Sequence, residues 1–190
     1  MHIISKKSLS SSLGVALAIS PILLGACGKV EGSKIEDRVA QLESREQIRS
    51  TLLEFAAVVD SGERARLAEL GPKLHAEFSM DVIDFAGGEH RFVGLEELVE
   101  GYGPIMASAQ ANLAASAIAV ELDGEQARAT FKFINSVLPP PELNLDIEEK
   151  VLLFAANTAI FVREGEAWKL KSIELDHTLA YPGTLPVIDE

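Results

Sequence analysis

Between Leu113 and Thr178 the sequence changes period, and that change decides the fold class. Apolar and polar residues alternate through LAASAIAVEL (113–122), ARATFKFINSV (127–137), VLLFAANTAIFV (151–162) and WKLKSIELDHT (168–178). A period of two marks strands with one buried face. In the second of these segments Ala129, Phe131 and Phe133 share one face, and Arg128, Thr130 and Lys132 share the other. Asp123-Gly124 joins the first two segments and REGEA (163–167) joins the last two, both as hairpin turns. A proline-rich stretch, LPPPELNLDIEEK (138–150), separates the middle pair. Upstream the apolar spacing is helical instead. Ile35, Val39, Leu42, Ile48, Leu52, Phe55, Ala56 and Val59 recur at threes and fours, which predicts a helix over 35–60 that ends at Ser61-Gly62. A second helix is expected over 63–74, a strand over 77–85, a Gly87-Gly88 turn, a short strand over 90–93 and a third helix over 94–105. Helices first and a long meander afterwards give an α+β domain, with the helices packed against one curved antiparallel sheet.

Four pieces of sequence, in this order, resemble the SnoaL-like branch of the nuclear-transport-factor-2-like superfamily. They are RVAQLESREQIRSTLLEFAAVVDSGE, FVGLEEL, AVELDGEQARATF and IFVREGEAWKLKSIEL. The resemblance covers most of residues 35–182. It implies a cone-shaped, strongly curved antiparallel sheet wrapped around three N-terminal helices, with an apolar interior as the usual binding pocket. It implies less about activity, because the superfamily holds isomerases, dehydratases, cyclases and non-enzymatic binding domains.

The chain's amino-terminal end carries a second resemblance. Lys6 and Lys7 precede an uncharged run, Leu9 to Leu24, that is broken by Gly14 and Pro21 and closes on Leu24-Gly25-Ala26-Cys27. That run is short for a membrane span and has the layout of a secretory signal. Its end resembles the bacterial lipobox, which implies cleavage before Cys27 and attachment of diacylglycerol and a further acyl chain such as palmitate. Cys27 is the chain's only cysteine, so an internal disulfide or a CxxC site is excluded. The resulting expectation is a signal peptide at 1–26, a lipidated polar tether at 27–34 and a SnoaL-like domain at 35–190. The membrane is then a partner through the lipid on Cys27. Gly28 in place of aspartate implies an outer-membrane address, with the domain facing the periplasm of the cell envelope.

Charge narrows the partners further. The full chain carries −12, and loss of residues 1–26, which hold Lys6, Lys7 and no acid, takes this to −14. Such a surface argues against nucleic acid and against electrostatic adhesion to anionic lipid. Roughly 155 residues remain for one domain around one core. No cofactor or metal is expected, since no phosphate-binding loop and no HxH spacing occurs.

For the dehydratase-like members the resemblance implies a tyrosine on the first helix, an aspartate five residues later and a histidine before the Asp-Gly hairpin. Here Asp60 matches the aspartate, Phe55 stands at the tyrosine and AQANLAAS (109–116) offers Gln110 and Asn112 in place of the histidine. Asp60 also has a structural reading, as a cap of the next helix in DSGE. Asp81 and Asp84 lie on the first predicted strand. Asp81 is expected on a solvated face; Asp84, among apolar neighbours, could act as a base. His75 reads as a surface residue or a C-terminal helix cap, and His90 as a surface residue. His177 points away from Trp168 on strict alternation, and inward if a bulge interrupts the strand near Ser172-Ile173. The candidate catalytic residues are therefore Asp60, Asp84 and His177, and the candidate pocket residues Phe55, Asn112, Phe131, Phe133 and Trp168. With two of three dehydratase groups missing, the expectation is a domain that binds a small apolar ligand or a protein partner without catalysis. An isomerase, dehydratase or cyclase acting on a cyclic apolar substrate through Asp84 or Asp60 is the first alternative, and a homodimeric interaction module the second.

Overall fold

The computed structural model describes residues 22–83, 88–109, 112–137, 151–176 and 179–182. The chain divides into two units, residues 1–38 and 39–190. In the first unit the described residues, from Ile22 onward, are helical, and the side chains from Ser33 to Arg38 are exposed. These residues belong to helix α1 (Ile22–Ser61), which therefore begins well before residue 35 and includes the stretch read as a tether. No proline follows Pro21 in this stretch, so nothing in it removes a helical N–H.

In the second unit α1 buries Ile48, Leu52, Phe55, Ala56, Val58 and Val59, the apolar stripe that its 3.6 period dictates. Gly62, at φ +64, allows the turn that ends it. A short helix α2 (Arg64–Leu67) runs directly into a 3-10 segment, Ala68–Lys73, which buries Leu67 and Leu70. Strand β1 (Leu74–Ile83) pairs antiparallel with β2 (Glu89–Val93). The third helical region is not one regular helix. It begins as α3 (Gly94–Glu97), widens into a π turn at Leu98–Tyr102 and resumes as α4 (Gly103–Ala109). Gly101 has a packing reason: a Cβ there would lie 2.9 Å from the Phe92 ring.

The four alternating segments form β3 (Asn112–Asp123), β4 (Gln126–Val137), β5 (Val151–Glu164) and β6 (Ala167–Asp176). A final strand, β7 (Leu179–Pro182), pairs with the start of β5. Both hairpins have two-residue loops with glycine first, Gly124 at φ +57 and Gly165 at φ +65, the place a II′ turn gives to glycine. The sheet order is β2-β1-β6-β5-β4-β3. It is a mixed sheet rather than a wholly antiparallel one, because β6 returns beside β1 in parallel, with Met80 opposite Ile173 and Val82 opposite Leu175. Alternation specifies which face of a strand is buried and is silent on strand direction, so the sequence pattern fits either pairing.

Among the described residues three register shifts interrupt the sheet, one of them in β1 between Leu74 and Ser79. Ala117 (φ 51) and Ile118 together oppose one residue of β4 between the Ser116–Lys132 and Ala119–Thr130 pairs, which is a β-bulge in β3. On β6, Phe161 pairs with Leu170 and Ile160 with Ser172, so Lys171 is the extra residue. The burial phase shifts with it, from Trp168 and Leu170 to Ile173 and Leu175. This is the interruption considered in the sequence reading, one residue earlier than expected.

The core lies between α1, the short helices and the inner sheet face. Phe55, Phe78, Phe133 and Phe161 are its largest fully enclosed side chains. On the outer face the Asp81 carboxylate meets the Arg91 guanidinium at 3.1 and 3.2 Å, directly across the β1–β2 pair. Both partners are well exposed, so the pair adds little to stability.

Candidate functional site

The end of α1 and the start of β3 meet through one side chain. Asp60 Oδ1 accepts a hydrogen bond of 2.6 Å from the backbone N–H of Leu113. The expected capping role falls elsewhere: Ser61 Oγ receives the Glu63 N–H at 3.2 Å, and α2 has no side-chain cap. Asp60 reaches across to the sheet because residues 61–63 already close the turn locally. It is exposed, and a charge-assisted bond at a wet site contributes about 1 kcal/mol.

Further back on the same helix, near its middle, polar contacts to the sheet occur as well. Gln47 Oε1 accepts the Trp168 N–H at 2.8 Å, and the Arg45 Nε–H points at the Val120 carbonyl at 3.4 Å. The helix thus runs from the Trp168–Val120 level of the sheet to the Leu113 level. At the first level the interior is packed, with Trp168 4%, Ala129 0% and Phe161 0% exposed. At the second, Leu113 is only half-buried and Asp60 opens to solvent.

Along the inner face of β4 and β5 two asparagines interrupt an otherwise apolar surface. Asn135 pairs with Leu113 on one side and Leu153 on the other; Asn157 sits opposite Phe131. They are 6% and 3% exposed, and neither Oδ1 has a hydrogen-bond donor among the described residues. The Asn157 Nδ2 group makes one long contact, 3.4 Å, to the Ala155 carbonyl two residues back. The sequence contained a usable signal for both. Each occupies an inward phase position, Asn135 after Ala129, Phe131 and Phe133, and Asn157 between Ala155 and Ala159.

Tyr102 is a further residue that the sequence reading passed over. The π turn lets it pack on Phe92, with ring centroids 5.6 Å apart. Burial pushes its hydroxyl up from 10 to about 12, so the folded chain keeps that proton to higher pH than the unfolded chain. Its stabilising effect is complete below pH 10 and declines by about 1.4 kcal/mol per pH unit as pH rises towards 12. Tyr102→Phe is expected to remove that slope, shifting the midpoint of an alkaline unfolding curve upward relative to the unaltered chain.

Of the predicted site residues, Phe55 (1% exposed), Phe131 (2%), Phe133 (1%) and Trp168 (4%) are brought together in one buried cluster. Phe131 and Phe133 meet edge to face, with centroids 4.9 Å apart. Asp60 lies apart from them, at the solvent end. Asn112 contributes its backbone to β3 and Cys27 its backbone to α1. The side chains of both lie outside the described residues, as do Asp84 and His177 entirely. His75 is on β1, where Nδ1 accepts the Glu77 N–H at 3.0 Å and Nε2 faces Glu164 at 3.3 Å. His90 is exposed on β2. Neighbouring Glu77 is held below the usual carboxylate range, chiefly by its hydrogen bond from Lys171. Among the described residues no three His, Cys, Asp or Glu side chains gather as a metal site would require.

This architecture is that of an α+β domain with a curved mixed sheet. Residues 40–174 match the SnoaL-like domain family, and the chain belongs to it. A search of curated protein sequences returns no match. Among solved structures, the fold is similar to the hexachlorocyclohexane dehydrochlorinase LinA-type3 from Novosphingobium barchaimii (TM-score 0.61, 16% identity, covering 80% of this chain and 96% of that one). It is similar to an NTF2-like protein with a cystatin-like fold from Novosphingobium aromaticivorans (TM-score 0.59, 17% identity, 76% and 88% covered). It is also similar to a protein described as a dehydratase of the NTF2-like family from Streptomyces avermitilis (TM-score 0.56, 22% identity, 72% and 98% covered). At these identities the likeness is one of fold.

Proposed function

We propose that this chain is a non-catalytic, ligand-binding SnoaL-like domain that acts at a membrane through a lipid on Cys27. The observation that carries the binding reading is what surrounds Asp60. Its carboxylate is engaged by a main-chain N–H instead of an imidazole. The neighbouring tyrosine position holds Phe55, an enclosed ring with no proton to give. A proton-transfer site needs a base paired with a group that orients it and a donor aimed at the developing charge. Asp60 has neither within the described residues. The ligand is a small apolar molecule, and its entry is placed at the Asp60–Leu113 end, where Leu113 is half-buried and Asp60 exposed.

Membrane attachment rests on the LGAC sequence that ends at Cys27, and an envelope location, outer membrane facing the periplasm, follows from the same stretch and from Gly28. The acidic surface leaves the acyl chains as the means of attachment.

A second reading is favoured by the contact that Asp60 makes. It places a carboxylate at the start of β3, where the family's dehydratase-like members are expected to hold their histidine, and the similar folds include a dehydrochlorinase and a protein described as a dehydratase. On that reading the chain removes a proton from a cyclic apolar substrate. Asp60→Asn separates the two. It keeps an acceptor for the Leu113 N–H and removes the base, so it is expected to leave the melting temperature within a few degrees and ligand affinity unchanged. Proton exchange at the α-carbon of enolisable ketones, followed by NMR in deuterated buffer, should match the buffer rate with either protein. Faster exchange that disappears in Asp60→Asn would establish the catalytic reading.

A further inference from the structure

We propose that the amide oxygens of Asn157 and Asn135 are the polar contacts of this ligand site, each accepting a hydrogen bond from a hydroxyl or N–H on an otherwise apolar ligand. The inference deepens the binding reading and rests on it. Both oxygens are buried, face the inner side of the sheet and meet no donor among the described residues. An unpaired amide oxygen in such surroundings is costly, whereas an apolar residue of similar shape would carry no such penalty. Their neighbours cannot supply a donor. Asn157 lies opposite Phe131, between Ala155 and Ala159, and Asn135 lies opposite Leu153. The β4–β5 ladder pairs the backbone at both asparagines. Buried polar groups kept at such a cost in a core mark places where stability gives way to function.

Their positions suit a path inward. Asn135 is level with Leu113, whose N–H holds Asp60 at the solvent end. Asn157 lies four residues further along the β4 register, about 13 Å deeper at the usual strand rise. An acceptor carbonyl selects a donor, so the ligand class is an apolar body bearing a hydroxyl or N–H. An ether or a hydrocarbon of the same shape would leave the oxygens unpaired and should bind less well.

The test uses the full chain and two fluorescent probes of one shape, 2-naphthol and 2-methoxynaphthalene, together with thermal melts. The expected result is at least ten-fold tighter binding of 2-naphthol, a preference that falls to about one in Asn157→Leu, with a melting temperature raised by roughly 2 °C or more. Asn135→Leu provides the second variant, with a rise of the same sign and a reduced preference. Equal binding of both probes to the unaltered chain overturns the inference while leaving the binding reading in place. Failure of either probe to bind at millimolar concentration counts against both. A lower melting temperature in both leucine variants, with the probe preference intact, shows that the amides serve the fold and overturns the inference.

Discussion

Cys27→Ala is expected to move the protein wholly from the membrane fraction to the aqueous fraction, with loss of radiolabel from cells fed labelled palmitate. The size of the effect follows from the chemistry of acyl chains. Each buried methylene contributes about 0.8 kcal/mol; a single chain holds a protein only reversibly, and two or more hold it stably. Among the described residues no helix is long and apolar enough to cross a membrane, and the net charge of −12 opposes adhesion to anionic headgroups. Retention of the alanine variant in the membrane fraction, at high salt and with the label gone, would mean that attachment comes from a partner or from an uncleaved Leu9–Leu24 run rather than from lipid. The same variant serves as a control for the folded domain. Cys27 lies in the unit of residues 1–38 and the core described above in the unit of residues 39–190, so its melting temperature is expected to match that of the unaltered chain.

How much of this could be read from the residues depends on what each signal encodes. Strand alternation located β3 to β6 within a few residues, because a half-buried strand must alternate. The Asp-Gly and Glu-Gly turns located the hairpins, because only glycine takes positive φ without strain. Direction is another matter. Nothing local to β1 or β6 states that they run parallel, since that depends on where the chain returns after about ninety intervening residues. The π turn at Leu98–Tyr102 was visible only as a helix weakened by Gly101 and Gly103. Its consequence, a buried Tyr102 against Phe92, needs the tertiary packing. Asp60 shows the limit for the site. Its sequence context, DSGE, argues for a local cap, and a long-range N–H at Leu113, 53 residues away, takes the carboxylate instead. Asn135 and Asn157 were legible as polar residues in an inward phase, yet the absence of a donor could be recognised only with neighbouring strands in place.

Phe161→Ala is expected to lower the unfolding free energy by about 3–5 kcal/mol, roughly a fifth or more of what a domain of this size commands. Phe161 is fully enclosed, paired across the sheet with Ala127 on β4 and with Leu170 beside the β6 bulge. Alanine at 127 cannot expand to fill the space that the ring leaves, and the displaced register at Lys171 limits how far β6 can close in. A poorly collapsing cavity is the expensive kind, because the lining atoms lose their contacts with nothing in return. Phe154→Ala provides the contrast. Phe154 also lies on β5 but on its outer, alternate phase, 36% exposed, and its truncation should cost a fraction as much. The pair of variants, compared by urea unfolding, tests whether the Trp168–Phe161 level of the interior is solid core. If Phe161→Ala cost no more than Phe154→Ala, the ring would line a space that tolerates its loss. The ligand would then have to be placed at that end of the sheet, away from Asn135.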